Sequence, residues 1–408
     1  GWLLGPQAAQ PLRPLALREI FGWDWYEETM RQSLAKLMRL LRPGGFAVIL
    51  GQDIPPVMAE CLIMAGAGAG FLPESFSFRE KDSRLEARLV FSNPKAPAVT
   101  RGDEETLREA ILEVLEYCGE PLPPMILRLL TEWWLTSRKA WNWSEWKREE
   151  FRRLLDETVT SLTEKGKLKP WAGGKLLGLP NYPGPFTPLS DRVELEVLKI
   201  LQEKGSVTFH ELEDRLYAEF PGPLVPGTDL LKECLSSYGE ERGSEWQLRP
   251  EDRPENRERD REELMAILRD LGGRLGFEVR ESGREPFDLV WEDRSASGDT
   301  AGVIVGLSSG FVVESTAALT GLFLRHFAPP LPNSYIVIPG GRASLVWYKL
   351  RKMPLWASLR GWQFIKYRHL RRLATEKTID RYSLQKIIGL DPVVERPGAQ
   401  LPLFPSPP

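Results

Sequence analysis

The chain has 408 residues, of which 42% are hydrophobic and 27% charged, and its formal net charge is −3. These values are ordinary for globular proteins and exclude wholesale disorder, and the length corresponds to roughly three domains. Three cysteines and three histidines are scattered along the chain, which argues against a disulfide framework and a histidine-rich metal cluster. The longest apolar stretch is too short to span a bilayer, and no signal segment opens the chain. We therefore expect a reduced, cytoplasmic protein without a membrane partner, and the missing initial Met predicts a piece of a longer protein.

The first predicted domain covers residues 1–97 and alternates helices with strands. Apolar residues at helical spacing predict a helix over 24–41, with Asp24 as its N-cap. The turn at 42–45 (RPGG) ends this helix, and residues 46–50 (FAVIL) predict a buried strand. The remaining elements are predicted as a helix over 56–67 and strands around 72–79 and 84–92.

Two winged-helix modules are predicted to follow. In residues 100–182, three helices, the last of them with Ser144 as its N-cap, precede two short strands around a glycine turn that carries lysines. That order is typical of a winged helix, a fold that binds DNA in many proteins. Hairpins of this kind also occur as packing elements, so DNA contact and packing are both open for this module. Residues 188–250 repeat the pattern with many acidic residues, which favours a packing or partner role.

Residues 259–395 predict a basic α/β domain, and the proline-rich residues 396–408 a flexible tail. Twelve lysines and arginines lie between 342 and 386, opposed only by Glu376 and Asp380. Lysine and arginine neutralise phosphates, and the Trp and Tyr residues among them are able to stack on bases. This stretch predicts a DNA-binding groove; the alternative is an aromatic core beneath a solvated basic face.

The same α/β domain resembles a restriction-endonuclease-like core around Asp288 in residues 287–291 (FDLVW). That chemistry also needs an acidic residue and a lysine, in the pattern Glu/Asp-x-Lys, on the next strand to hold a metal. The next strand is predicted at 302–307 (GVIVGL), which contains neither. We therefore expect a degenerate nuclease-like fold without a metal site.

The first domain resembles the second half of a class I S-adenosylmethionine-dependent methyltransferase. The resemblance rests on the helix that ends in residues 40–45 (LLRPGG), the apolar strand directly after it and the closing pair of strands. The succession of all domains is similar to that of large prokaryotic adenine-specific DNA methylases. Blocks at 220–224 (FPGPL), 248–254 (LRPEDRP) and 364–371 (FIKYRHLR) look like recurring blocks of such proteins.

This resemblance implies a C-terminal fragment of an enzyme that moves a methyl group from S-adenosylmethionine to a DNA base nitrogen, adenine N6, after flipping the base. The family's glycine-rich cofactor loop and its Asp/Asn-Pro-Pro-aromatic motif lie in the first half of the domain, and neither is found here. Residues 53–56 (DIPP) follow the wrong strand. No catalytic, cofactor-binding or metal residue is predicted, so this chain alone should be inactive. The alternatives are a non-enzymatic winged-helix DNA-binding protein and a degenerate nuclease-like subunit of a restriction or defence system.

Double-stranded DNA is the main predicted partner, and the expected contacts are cations of the first winged-helix module and of the basic domain. They are Lys147, Arg148, Lys167, Lys169, Lys175, Arg342, Lys349, Lys352, Lys366, Arg368, Arg371 and Arg372. The basic domain carries most of these residues, so the larger share of DNA binding is predicted there.

The C-terminal tail contains Gln400-Leu401-Pro402-Leu403-Phe404, which is similar to the bacterial sliding-clamp-binding peptide Gln-Leu-x-Leu-Phe. In such a peptide the glutamine hydrogen-bonds at a pocket rim, while Leu401, Leu403 and Phe404 fill an apolar cleft. The tail therefore predicts the sliding clamp as a second partner. The alternative is that the peptide folds back on its own domain.

Overall fold

The structure is a computed structural model, and it describes residues 22–81, 84–94, 102–182, 186–220, 224–283, 285–293, 308–326, 328–352 and 361–390. The protein is mixed α/β with several small sheets, none of them closed among the described strands. It divides into two compact units, one from residues 1–186 and 214–229 and the other from 187–213 and 230–408. None of the described helices is both long and apolar enough to cross a membrane. The boundaries of the four predicted domains remain predictions.

The first unit begins with two helices and a three-stranded antiparallel sheet. Its elements are α1 (Trp23–Leu40), β1 (Phe46–Gln52), α2 (Pro56–Gly68), β2 (Leu72–Lys81) and β3 (Arg84–Ser92). β3 lies between β1 and β2 and pairs antiparallel with both. The order of elements matches the sequence prediction. The predicted N-cap is wrong, because Gly22 caps α1 and Asp24 lies in its first turn.

The turn between α1 and β1 is closed by its two glycines and by Asn93. Gly44 has a φ of 80°, a conformation that glycine adopts without strain. A Cβ atom on Gly45 would lie 2.9 Å from the carbonyl oxygen of Arg42. The Asn93 side chain donates hydrogen bonds to the carbonyl oxygens of Met38, at 3.2 Å, and Leu41, at 2.9 Å. The end of the helix is thereby tied to the residue that follows β3.

One face of this sheet is packed against helices, and the other face is exposed along β1. Ala47 and Leu89 belong to a core that also contains residues of α1 and α2. On β1, the alternate residues Phe46, Val48 and Leu50 are exposed by 60%, 54% and 74%. Since β1 pairs only with β3 among the described strands, it has an open edge as well as an uncovered apolar face.

Three helices and a hairpin complete the main part of the first unit. They are α3 (Glu104–Cys118), α4 (Pro124–Ser137), α5 (Arg148–Glu164), β4 (Lys169–Trp171) and β5 (Leu176–Gly178). This is the order predicted for residues 100–182. The predicted start of the third helix is wrong, because Ser144 lies in a short 3-10 turn and Lys147 is the N-cap of α5.

The second unit opens with helices around a small sheet of order β6–β8–β7. These elements are α6 (Leu189–Lys204), β6 (Ser206–Thr208), α7 (Phe209–Glu219), α8 (Thr228–Tyr238), β7 (Gly239–Arg242) and β8 (Glu245–Leu248). The division between the units falls within α7, since residues 214–229 belong to the first unit.

The rest of the second unit is a five-stranded mixed sheet with helices. Its elements are α9 (Pro254–Arg274), β9 (Phe277–Glu281), β10 (Leu289–Asp293), β11 (Ser309–Val313), α10 (Thr320–Arg325), β12 (Asn333–Ile338), α11 (Ala343–Lys352), β13 (Trp362–Lys366), α12 (Tyr367–Thr375) and α13 (Arg381–Gln385). The strand order is β13–β12–β11–β10–β9. β9, β10 and β11 pair antiparallel, whereas β11, β12 and β13 pair parallel. Leu268, Trp291 and Phe311 lie at the centre of its core.

Candidate nucleic-acid interface

The hairpin after α5 carries a group of exposed lysines, and we call residues 165–178 the lysine hairpin. Its four lysines are all exposed. They are Lys165, Lys167, Lys169 and Lys175. No carboxylate lies between them in sequence, and none forms an ion pair with them in the part of the chain that the structure describes. Lys165 lies outside the sequence prediction, which named the other three.

The apolar residues of the lysine hairpin explain why its lysines point outwards. Leu168, Trp171 and Leu176 are buried, so the polar residues between them face solvent. The Trp171 indole donates a hydrogen bond to the carbonyl oxygen of Leu179 at 3.2 Å. The Lys169 ammonium lies 4.6 Å from the centre of the Trp171 ring, within the range of a cation–π contact. The hairpin is therefore anchored by its apolar side.

The tip of the lysine hairpin is narrow and open. Ala172, Gly173 and Gly174 have successive positive φ values of 50°, 68° and 87°. A Cβ atom on either glycine would meet no atom within 4 Å. Two residues without side chains at an open tip allow a large partner, such as a DNA backbone, to come close.

Helix α5, which precedes the lysine hairpin, has the opposite charge on its exposed face. Five exposed carboxylates lie along it, against Arg153 as the one fully exposed arginine within the helix. The carboxylates are those of Glu149, Glu150, Asp156, Glu157 and Glu164. The predicted DNA contact at Arg148 is wrong, because only 4% of this residue is exposed and its guanidinium pairs with Asp24 at 3.0 Å. Lys147 is exposed at the N-cap of α5.

The hairpin of the second unit is acidic, and we call residues 239–248 the acidic hairpin. Glu240, Glu241 and Glu245 are exposed, and Arg242 is its one cation, paired with Glu240 at 3.1 Å. Part of the acidic character of residues 188–250 thus lies on the surface of this hairpin.

Arg342 is the first of two cations of the basic domain that lie inside the second unit. Only 1% of Arg342 is exposed, and it forms a buried ion pair with Asp252. Its guanidinium stacks 3.7 Å from the centre of the Tyr238 ring and donates hydrogen bonds to Ser237. A buried and fully engaged guanidinium cannot reach a phosphate, so the predicted DNA contact at Arg342 is wrong.

Lys349 is the second buried cation. Its ammonium pairs with Asp191 at 2.8 Å and with Glu194, and donates to the carbonyl oxygen of Ala317 at 3.1 Å. Burial acts to lower the pKa of Lys349, but the two carboxylates outweigh it and hold this pKa above its usual value. Lys349 therefore joins α6 to α11 within the second unit, and the predicted DNA contact there is also wrong.

Of the remaining predicted cations of the basic domain, some are buried or held in ion pairs and others are exposed. Lys366 is buried at the end of β13. Arg371 pairs with Asp260 and Glu263, each at 2.8 Å. Arg368 and Arg372 are exposed, and the side chain of Lys352 lies outside the described residues. Acidic residues of α9 thus neutralise part of a stretch that looks uniformly basic in sequence.

Two aromatic residues of the basic domain contribute to its core instead of an open stacking surface. Trp362 and Tyr367 are both buried. The Trp362 indole donates to the carbonyl oxygen of His326, and the Tyr367 hydroxyl donates to that of Glu314, both at 2.8 Å. These two residues therefore fit the alternative stated above, in which the aromatic residues form a core.

The structure changes one part of the comparison with nucleases. The strand predicted at 302–307 lies outside the described residues, and the strand that pairs with β10 is β11, which is followed directly by Glu314. An acidic residue therefore does lie beside Asp288, and burial together with Asp288 raises the pKa of Glu314 to about 7. The position two residues later is Thr316, however, where the Glu-x-Lys pattern requires lysine.

Asp288 itself is occupied by structural contacts. Its carboxylate accepts hydrogen bonds from Arg261 at 2.6 Å and from the backbone N–H of Val313 at 2.7 Å. Among the described residues, no group of three or more His, Cys, Asp or Glu side chains is arranged to hold a metal ion.

The first unit contains a group of buried acidic residues that was not predicted from the sequence. Glu27, Glu60 and Glu132 are at most 5% exposed, and both carboxylate oxygens of Glu132 lack a hydrogen-bond partner among the described residues. Burial, and secondly the nearby Glu60, raise the pKa of Glu132 well above its usual value. The sequence signal was a single Glu within the apolar run of α4, at 125–135 (MILRLLTEWWL).

Comparison with known protein families, with curated proteins and with solved structures finds no match to this chain. The site therefore rests on geometry and charge. Among the described residues, the lysine hairpin brings together three predicted DNA contacts that are exposed and without a carboxylate partner, and Arg368 and Arg372 on α12 form a smaller exposed pair.

Proposed function

We propose that this chain is the DNA-binding part of a cytoplasmic DNA methyltransferase, and that its main DNA contact is the lysine hairpin of a winged-helix module. The observation that carries the DNA-binding proposal is the set of four exposed lysines on one short hairpin, with no neutralising carboxylate among the residues that the structure describes. Each lysine that neutralises a phosphate releases a condensed counterion, and this release drives binding. This proposal moves the main surface from the basic domain, as predicted from sequence, to the first unit.

The order of strands in the first unit supports the methyltransferase part of the proposal. A helix, the turn at 42–45, strand β1 and a closing pair of strands with β3 next to β1 are the features expected of the second half of that fold. The open edge and the exposed Phe46, Val48 and Leu50 are what a sheet would present if further elements covered it. In the proposed parent enzyme, the methyl acceptor is adenine N6.

The described residues do not fit S-adenosylmethionine. Nucleotide-like cofactors bind at the carboxyl ends of parallel strands, beside a glycine-rich loop, but all strand pairs of the first unit's three-stranded sheet are antiparallel. The segment after β1 is a tight turn in which Asp53 has a φ of 52° and Ile54 is buried. No step of methyl transfer is therefore assigned to residues of this chain.

Two binding measurements test the proposal. Fluorescence anisotropy with a labelled duplex should show binding by the wild-type chain, and replacing the four lysines by Gln should lower the affinity on the order of 10²-fold at low salt. A matched control replaces Lys199, Lys204, Lys232 and Lys377 of the second unit by Gln, and it should bind as the wild type does. Absence of binding by the wild type would overturn the proposal.

Calorimetry separates the methyltransferase from a non-enzymatic DNA-binding protein. The chain alone should bind no S-adenosylmethionine, and an upstream segment with a glycine-rich loop should restore binding when it is produced together with this chain. If the completed protein still binds no cofactor while the chain binds DNA, the non-enzymatic alternative is correct.

The sliding clamp is a separate proposed partner. The peptide Gln400, Leu401, Leu403 and Phe404 lies outside the described residues, so its role is proposed from the sequence alone. A pull-down with purified clamp should retain the wild-type chain and lose the variant that carries Gln400→Ala, Leu403→Ala and Phe404→Ala. Retention of that variant would contradict the proposal.

A further inference from the structure

We infer that helix α5 stays outside the major groove, so that this module binds duplex DNA through phosphates and without preference for base sequence. The inference rests on the proposed function, because it specifies how the lysine hairpin meets its substrate. In the common helix-turn-helix arrangement the last helix before the hairpin enters the groove and reads base edges. The charges of α5 oppose that arrangement.

The exposed face of α5 carries the wrong charge for a groove lined by phosphates. It presents five carboxylates and one fully exposed arginine, Arg153. Glu149 and Asp156 are paired with arginines, which leaves three exposed carboxylates without a cation among the described residues. Two unit charges 4 Å apart interact by about 1 kcal/mol even in bulk water. Insertion of this face into the groove would therefore place carboxylates beside phosphates and add several repulsive interactions. The lysine hairpin, in contrast, is attracted to the same phosphates.

The remaining arginines of α5 are held by neighbouring carboxylates. Arg148 is buried against Asp24 at 3.0 Å, and Arg152 lies 3.8 Å from Glu149. Specific reading of guanine needs an arginine or lysine with two free donors directed at the base edge. Within α5, only Arg153 is fully exposed for such a contact, and one arginine specifies little sequence.

The shape of the lysine hairpin suits contact with the backbone. Its lysines occur on both sides of an open tip, at Gly173 and Gly174, where an added Cβ atom would meet nothing within 4 Å. Lysine is a flexible point charge that binds phosphate without the planar geometry needed for base recognition. Four such contacts predict that the logarithm of the affinity falls with the logarithm of salt concentration with a slope of about −4.

The test compares duplexes and variants by fluorescence anisotropy. Duplexes of equal length but different sequence should bind the wild-type chain within about twofold, with the salt slope given above. Arg153→Gln should change the affinity less than twofold, whereas Lys167→Gln together with Lys175→Gln should weaken binding about tenfold. Glu157→Gln serves as a matched control on α5 and should have no more effect than Arg153→Gln.

The outcomes distinguish this inference from the proposed function. If the wild type binds and the hairpin variant weakens binding, but affinity differs by more than about twofold between duplex sequences, the module reads sequence, and the inference is wrong while the proposed function stands. Loss of that difference in Arg153→Gln would assign the reading to α5. If the wild type binds no duplex, both are wrong.

Discussion

The lysine hairpin and the acidic hairpin occupy equivalent places in the chain and differ in charge. Each follows a helix, α5 or α8, and each turns at glycine with a positive φ, Gly173 at 68° and Gly243 at 69°. The first carries four exposed lysines without acidic residues, and the second carries three exposed glutamates and one paired arginine. The succession of elements therefore does not decide whether such a hairpin meets DNA; its side chains do.

The anchoring of the acidic hairpin shows a second difference. Arg249, which follows β8, donates to the carbonyl oxygens of Ser236, at 2.7 Å, and Gly239, at 3.0 Å. The neighbouring Ser237 accepts from Arg342. These two arginines of the second unit thus satisfy backbone carbonyl groups, whereas the lysines of the lysine hairpin face solvent. A count of lysines and arginines therefore overestimates the size of a DNA-binding surface when some of them are paired with groups of the protein itself.

The largest expected effect comes from exchanging the charges of the two hairpins. Replacing all four lysines of the lysine hairpin by Glu removes four attractions and adds four repulsions, so affinity for duplex DNA should fall on the order of 10⁴-fold at low salt. In the matched variant, Glu240→Lys, Glu241→Lys and Glu245→Lys should leave the affinity unchanged or raise it. Equal losses in the two variants, measured by anisotropy, would mean that the hairpins do not differ in function.

The next largest effect tests whether Lys349 is structural. Lys349→Met leaves Asp191 and Glu194 buried without their cation, which should lower the free energy of unfolding of the second unit by about 3–5 kcal/mol. Chemical denaturation measures this loss, and Lys377→Met, at an exposed lysine of the same unit, is the control. If Lys349→Met left stability intact but weakened DNA binding, the basic domain would belong to the DNA surface after all.

A smaller effect is expected from pH. Burial raises the pKa of Glu27 to about 7, although Arg31 and Arg148 act against it. Because this pKa is higher in the folded protein than in the unfolded chain, the stability it contributes is present at low pH and is lost as pH rises through about 7. Allowing for solvent screening, the first unit should be about 1–2 kcal/mol less stable at about pH 8 than at about pH 5.

Glu27→Gln should remove this part of the pH dependence, as thermal unfolding across that pH range would show. The affinity of the folded protein for DNA should not follow the same curve. If it does, the buried acidic residues influence the DNA contact, and the lysine hairpin is not its sole determinant.

The smallest effects come from the two turns. Ala172 has a positive φ of 50° in the lysine hairpin, so Ala172→Gly should relieve backbone strain and change stability by at most about 1 kcal/mol. Gly243→Ala in the acidic hairpin should lower the free energy of unfolding by about 1 kcal/mol. An added Cβ atom would meet nothing within 4 Å, so the loss comes only from the positive φ that alanine has to adopt. Thermal unfolding measures both, and changes of more than about 2 kcal/mol would show that side-chain contacts dominate these turns.

The sequence predicted the local succession of elements better than it predicted the ion pairs of charged side chains. The order of α1, β1, α2, β2 and β3 followed from hydrophobic periodicity and from the glycines of one turn, because both act over a few residues. The pairing of Lys349 with Asp191 and Glu194 joins residues 158 and 155 positions apart, and no local pattern indicates it. The predicted cations of the lysine hairpin are exposed, since their neighbours in sequence are their neighbours in space, whereas Arg342 and Lys349 are buried in ion pairs with residues far away in sequence.

The most direct test of the account places one crosslinker on each hairpin. The native cysteines Cys61, Cys118 and Cys234 are buried, so Lys175→Cys or Ser244→Cys can carry a photoreactive group selectively on the folded protein. The account predicts a crosslink to duplex DNA from position 175 and none from position 244. A crosslink from 244 without one from 175 would contradict the claim that the lysine hairpin is the DNA contact.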